Sequence, residues 1–556
     1  MAHRRRRVWH AKVAVSIGHR PSDGPTEDRV APRRARLAVP HATAEVAWTA
    51  AAVTLVALAI YLRTMFPSIG FWDTGEAQTA PHTLSIFHPT GFPTYTLIGW
   101  AWSQIPIGEV AWRMNLMSVV SLAAASGLAV LIVGQLAEER HRWAVAVAAG
   151  IAGLAFAFAS EPWRNALRAD VHALHMLIAA LIVWLLVCWR SAERAGSPRA
   201  GRWLMGAALT FGLGMGNHPL TGLMAFGIAA WLLAVDPRIW RRWRLLAVCG
   251  ALLVIGLLVY AYIPIRALIP PEPPLFYARP TTFERVRYLI FAEQFHHLFE
   301  PFIDPLDDFG VKWADAERVL VRQFIGPGWL IAALGAAVLA ARQPAAFAFL
   351  GLLVAANVAY AMNFYDGDID RYYLLTVFVA SVLIGVAVSA FSAACARAFA
   401  EASRRVLGLV GRRRLAVAAG VLVLTLAVLL PAGSLATLYA ERDQSANRDA
   451  DRWVASVHDA LPPDAVVLSW WSYSTPLWYH RWVLGERPDV KLIDERNILD
   501  DGYGTIDAAI ETFLDRRPVY VVPPFWEVER IAANWETATV ATYPGYTDLL
   551  RIEGRK

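Results

Sequence analysis

Along the 556-residue chain, apolar runs recur with polar residues gathered between them. Each run is roughly 20 residues long, the length that crosses a bilayer core. The pattern predicts about eleven spans, over 46–63, 113–136, 143–160, 171–189, 203–216, 219–235, 245–265, 325–341, 344–363, 373–394 and 415–435. A further apolar run, "TYTLIGWAWSQIPI" (94–107), is bounded by prolines. Its Trp100 and Trp102 suit a helix lying in the headgroup region rather than a span. From 436 onward the pattern changes. Short strand-like runs at 465–470, 490–494 and 518–524 alternate with a helix-like segment at 505–517, which predicts a small α/β domain.

Charge then orients the spans. Arginines crowd alternate loops, 190–202, 238–244 and 397–414, and the basic segment 1–45. By the positive-inside rule these are cytoplasmic, which places the N-terminus inside and the C-terminus outside. Residues 1–45 read as a disordered cytoplasmic tail. "RRRR" at 4–7 is followed by a polar arm, so no cleavable signal peptide is expected. Cys188, Cys249 and Cys395 fall at cytoplasmic span ends, and no disulfide framework is implied. The remaining loops, 64–112, 161–170, 216–219, 266–324 and 364–372, together with 436–556, lie on the other face and hold carboxylates, histidines, prolines and aromatics. The expected layout is a tail over 1–45, a transmembrane domain over 46–435 with its chemistry centred on the outer loop 64–112, and an extracytoplasmic domain over 436–556. The fold class is mainly α, a polytopic helical bundle with a small α/β appendage.

Composition agrees: 56% of residues are hydrophobic and 18% charged, against about a quarter charged in soluble proteins, and mean hydropathy is +0.39. The net charge of +6 sits in membrane-flanking loops, so it does not point to nucleic acid. No repeat, Gly-rich nucleotide loop or Walker motif occurs.

Candidate chemistry collects in the outer loops. Asp73 and Glu76, three apart, share a helix face. Beside a membrane, such carboxylates suit proton transfer, although a solvated turn would use the same residues. His88-Pro89 and His218-Pro219 each set an imidazole at a helix break, either to meet an anion or to cap the helix. No Cys/His set of metal-ligand spacing accompanies them. "EPWRNALRADVHALH" (161–175) carries Arg168, Asp170 and His172; Arg266 ends a span; and "YDGDIDRYY" (365–373) carries Arg371. Arginine forks match phosphate oxygens, and interfacial ion pairing is the plainer alternative. The aromatic cluster "SWWSYSTPLWYHRW" (469–482) either stacks on sugar rings or packs a small core.

The stretch "WDTGE…HPTGFPTYTLIG…IPIGEVAWRMNLMS" (72–118) resembles the pattern D-x-G-E, H-P-P-G-Y-P-L-Y, P-x-G-x-x-A-x-R-x-N-x-x-S. That pattern marks the membrane-protein family of unknown function numbered 2723, related to the protein O-mannosyltransferases and the wider GT-C glycosyltransferases. "TPLWYHRWVLGERPDVKLID" (475–494) is similar to that family's C-terminal portion. Thr90 and Phe92 depart from the pattern, while the acidic pair is intact.

The resemblance implies a hexosyltransferase that moves a sugar, mannose at family level, from a polyprenyl-phosphate donor to a protein or glycan hydroxyl, with inversion. It implies Asp73 as general base with Glu76 as partner. Donor-phosphate and substrate contacts would come from His88, Arg168, His218, Arg266, Arg371, Asp170 and His172. No metal is implied. The competing readings are a lipid-linked sugar transporter or flippase, which predicts inverted repeats and midplane charges, and a non-catalytic scaffold. Neither repeats nor midplane charges are evident, Asn357 being one of few polar exceptions. The expected location is a bacterial plasma membrane with the site facing outward.

Overall fold

In a computed structural model, residues 43–299, 307–405, 408–542 and 545–556 are described. The basic segment 1–45 falls almost wholly outside them. A helix stands over each of the segments expected to span. Seven are long and apolar enough to cross a membrane, and the bent pair Arg142–Ala157 and Ser160–Ala166, turning by 65°, makes an eighth. The other three, Gly201–Asn217, Leu220–Val235 and Gly328–Arg342, have 17, 16 and 15 residues. At 1.5 Å rise per residue they extend about 22–26 Å, short of the roughly 30 Å core. The chain is a multi-pass membrane protein.

Val110–Leu136, Val171–Arg194 and Leu374–Ala402 form the centre and are buried on nearly every face, as all-round apolar helices must be. The helix Leu409–Arg442 lies outside them and exposes Leu422, Leu426 and Leu429, as a lipid-facing helix does. The two ends of the bundle differ in chemistry. At one, Arg242–Glu193 (2.6 Å) ties together two of the arginine-rich connections, and Arg342–Glu139 (2.7 Å) joins two others. At the other, the polar loops fold inward. Ile86 bridges Phe276 in parallel, with Ile86 N–H donating to the Leu275 carbonyl (2.9 Å), so the loops after the first span and after Trp243–Leu268 form one layer. The run at 94–107 becomes the helix Pro93–Ser103, started by proline at its first position.

Beyond Arg442 the chain forms a five-stranded sheet in the order β2-β1-β3-β5-β4: β1 Val466–Ser469, β2 Lys491–Asp494, β3 Val519–Val522, β4 Trp535–Ala541 and β5 Leu549–Arg555. β1 pairs in parallel with β2 and β3, and β5 is antiparallel to both β3 and β4. The first three strands and the helix Ile506–Leu514, capped by Thr505 accepting from Ala508 N–H (3.1 Å), lie within the runs the pattern predicts. The sheet is seated on the polar loops. The helix Trp471–Trp482, which follows β1, packs on the short helix Asp73–Thr79, and the Tyr479 hydroxyl accepts from Ala111 N–H (2.9 Å). The two helices approach so closely that a Cβ on Gly75 would stand 2.8 Å from Thr475 Oγ1 and 2.7 Å from the Gly70 carbonyl.

Candidate active site

Where the polar loops meet the sheet there is a cavity of about 760 Å³, and Asp73, His88, Asp170, His172, His218 and Arg371 all border it. These residues come from four separate segments, and each is positioned by identifiable backbone features.

Asp73 opens the helix Asp73–Thr79. The residue before it, Trp72, has φ 58°, and Phe92, before Pro93, has φ 39°. Side chains rarely adopt this left-handed backbone, and it costs about 1–3 kcal/mol where it occurs. Buried Gln78 and Asn115 hold the turn. Gln78 accepts from Gly70 N–H (3.0 Å) and donates to Asn115 Oδ1 (2.8 Å), while Asn115 donates to the carbonyls of Phe66 and Ser68. Asn115 Oδ1 also accepts from Ala169 N–H (2.9 Å), and Ser118 Oγ accepts from Asp170 N–H (3.2 Å). The R-x-N-x-x-S part of the motif therefore registers the Asp73 turn against the Asp170 turn.

The Asp73 carboxylate accepts from Trp471 Nε1 (3.0 Å) and from Arg371 (2.9 Å), with about a third of its side chain exposed to the cavity. Burial favours its neutral form, but the Arg371 and His88 charges and these hydrogen bonds outweigh that and hold it well below the usual carboxylate range. Asp73 is thus ionised at neutral pH. Arg371 stands among four carboxylates, Asp73, Asp170 (3.4 Å), Asp366 (3.7 Å) and Asp368 (3.8 Å). Its backbone is fixed by Asn357, which donates to the Tyr372 carbonyl (2.9 Å).

Glu76 faces away from Asp73 in function although it shares its helix. It is buried and bonds His88 through both the backbone N–H (2.9 Å) and Nδ1. Burial disfavours charge on both partners; for His88 the facing Glu76 carboxylate prevails and raises the imidazole above its ordinary value. The Glu76 carboxylate thus favours the protonated form of His88, whose ring borders the cavity. Asp170 caps the helix Val171–Arg194, accepting from His172 N–H (2.7 Å) and Nδ1 (2.9 Å). His218 accepts from Leu220 N–H at Nδ1 (3.2 Å), so it does cap a helix and its proton lies on Nε2. Burial, with neighbouring His172, His175 and Arg371, lowers it and keeps it neutral.

Three expected site residues lie off the cavity wall: Glu76, buried behind His88, together with Arg168 and Arg266. Arg168 bonds Asp368 (2.7 Å) and so sits behind Arg371. Arg266 gives its guanidinium to the carbonyls of Leu84 (2.9 Å), Ile269 (3.1 Å) and Pro271 (2.8 Å). It pins loops together and does not border the cavity. Sequence reading does not single out Arg496, Asn115 or Gln78, and it places Trp471 only within an aromatic cluster. Arg496 borders the cavity and stands 4.6 Å over the Trp471 ring, a cation–π contact. Phe291, Phe295, Phe299, Tyr360 and Phe364 also line the cavity, and the Phe299, Tyr360 and Phe364 rings pack on one another.

Comparison with known proteins places the chain among membrane transferases by sequence segment and by fold. Residues 73–242 match the family described as the protein O-mannosyl-transferase TMEM260 N-terminal domain. The mouse protein O-mannosyl-transferase TMEM260 is 25% identical over 470 residues, 80% of this chain and 62% of the relative, so the chain spans less than two thirds of that protein's length. The Dictyostelium discoideum tmem260 protein is 23% identical over 189 residues, 32% of this chain and 22% of its own. Among solved structures, ArnT from Cupriavidus metallidurans bound to undecaprenyl phosphate superposes with a TM-score of 0.53 at 14% identity, covering 90% of this chain and 97% of ArnT. The chain has the GT-C fold, and its residues 73–242 match the N-terminal domain of the TMEM260 protein O-mannosyl-transferases.

Proposed function

We propose that this protein is an integral-membrane glycosyltransferase that takes a sugar, mannose by analogy with its relatives' name, from a polyprenyl-phosphate donor and passes it with inversion to a protein or glycan hydroxyl. The observation that carries the reading is the mixed lining of one cavity. An ionised carboxylate and the basic groups Arg371, His88 and Arg496 share it with the aromatic residues Phe291, Phe295, Phe299, Tyr360 and Phe364. An amphipathic lipid phosphate bearing a sugar fits that mixture. The sequence has no Gly-rich nucleotide loop, which fits a lipid-linked donor better than a nucleotide sugar.

In the reaction, the acceptor oxygen attacks the anomeric carbon, the bond from that carbon to the phosphate oxygen breaks, and the polyprenyl phosphate departs. The hydroxyl proton passes to Asp73, the cavity-facing carboxylate already in its base form. Arg371 both restrains Asp73 and is the buried cation nearest to it. As Arg371 turns toward the donor phosphate, it relieves the charge that weakens Asp73 as a base and stabilises the leaving group. His88, kept cationic by Glu76, adds a second positive charge. Asp170 and His172 fix the far side of Arg371. The site lies at the end of the bundle opposite the arginine-rich loops, which supports an extracytoplasmic location.

The test is transfer of radiolabelled sugar from polyprenyl-phosphate mannose to a membrane acceptor fraction by purified protein in nanodiscs. Asp73→Asn keeps the acceptor atom for Trp471 and removes the base, so transfer should fall about 10²–10⁴-fold with the protein still folded. Equal transfer by both proteins would remove Asp73 as the base. Donor scrambling across vesicles without transfer would favour a flippase.

A further inference from the structure

A second cluster of reactive side chains lies in the C-terminal part of the chain, away from the cavity. His458 sits in the last turn of the helix Asp449–Ala460, His480 in the last turn of the helix Trp471–Trp482, and Glu486 in the loop that follows. Gly485, with φ +73°, turns that loop back, and Glu486 N–H donates to the His480 carbonyl (2.9 Å), which returns its carboxylate over the two imidazoles. One ligand atom from each of the three residues lies within 4.8 Å of the other two. Glu486 Oε2 stands 2.8 Å from His480 Nδ1 and 3.6 Å from His458 Nδ1. Metal bonds of about 2.0–2.1 Å in tetrahedral geometry place ligand atoms about 3.3 Å apart, and the two separations bracket that spacing.

We propose that His458, His480 and Glu486 form a binding site for a zinc-class divalent cation, with water as the fourth ligand. The second imidazole nitrogen of His480 supports this independently. Nε2 is buried without a hydrogen-bond partner, and Asp451 Oδ1 stands 3.7 Å from it. With the cation on Nδ1, the ring proton must reside on Nε2, and Asp451 becomes the carboxylate that orients a metal-bound histidine. Without the cation, the ring must carry a proton on both nitrogens to serve Glu486 at Nδ1 and Asp451 at Nε2. Two imidazoles with one carboxylate suit zinc better than calcium or magnesium, which take oxygen ligands.

The cation would staple the helix Asp449–Ala460 to the helix Trp471–Trp482. The latter presents Trp471 to Asp73 at its opposite end, so the site is a brace for the reactive centre rather than part of it. The inference does not depend on the proposed transfer reaction.

The test uses the untagged full chain in detergent, stripped with chelator and then titrated with Zn²⁺ and with Co²⁺. One equivalent should bind at micromolar concentration, Co²⁺ should give the visible absorption of a tetrahedral site, and Zn²⁺ should raise the melting temperature. His458→Ala, a partly exposed position, should keep the fold by elution volume and circular dichroism yet weaken binding more than tenfold and lose the thermal shift. Asp451→Asn should weaken binding about 10–100-fold without changing the stoichiometry. No binding by the wild type, or equal binding by wild type and His458→Ala, would overturn the site.

Discussion

Trp471→Phe tests whether the C-terminal sheet region takes part in the chemistry or only packs beside it. The indole Nε1 donates to Asp73 Oδ1 at 3.0 Å, and the other carboxylate oxygen is held by Arg371. A hydrogen bond to a charged group contributes about 1.5–3 kcal/mol. Because about a third of the Asp73 side chain is exposed, water replaces part of the lost bond, and the lower end, about 1.5 kcal/mol, applies. At about 1.36 kcal/mol per factor of ten, turnover should fall roughly tenfold if the bond is needed to aim the carboxylate. Phenylalanine keeps a ring in contact with His88, Trp478 and Arg496, so melting should change little. The assay is the transfer rate in nanodiscs beside a melting curve, with Trp478→Phe as control, since Trp478 makes no bond to Asp73. Wild-type turnover in Trp471→Phe, or an equal loss in Trp478→Phe, would refute the positioning role.

Arg371→Met leaves four carboxylates without their shared cation; breaking a buried pair costs about 3–5 kcal/mol, so a large fall in melting temperature should accompany loss of transfer, and unchanged melting would contradict the network. Glu76→Gln removes the charge that raises His88. The imidazolium's stabilisation is present at low pH and lost as pH rises through the raised value. In the variant only the Asp73 charge still opposes burial and Arg496, so the alkaline limb of the pH–rate profile should move to lower pH, and an unmoved limb would exclude His88 as the titrating cation. Arg266→Ala frees three carbonyls and should lower melting while leaving KM for the lipid donor unchanged; a tenfold rise in KM with unchanged melting would return Arg266 to the site.

Local signals in the sequence reach as far as local geometry does. The acidic pair three residues apart does lie on one short helix, but spacing cannot say that Asp73 turns to Arg371 and Trp471 while Glu76 turns to His88. His218 takes the capping reading of a His-Pro break and also borders the cavity. Arg266 shows the opposite failure. An arginine at a span end reads as a phosphate ligand, yet its donors are taken by carbonyls of the loops around it, a demand set by loop packing that no periodicity records. Trp471 and Asp73 are separated by 398 residues, and only the sheet brings them together. A signal was nonetheless present. β1 and β2 are parallel neighbours, and parallel strands meet ligands beyond their carboxyl ends. Trp471 lies two residues past the end of β1 and Arg496 two past the end of β2. Once 465–470 and 490–494 are read as parallel strands, the residues following them become candidates on topology alone. That argument supplies Arg496, which borders the cavity, and Trp471, the indole that bonds Asp73 and carries the stacked guanidinium.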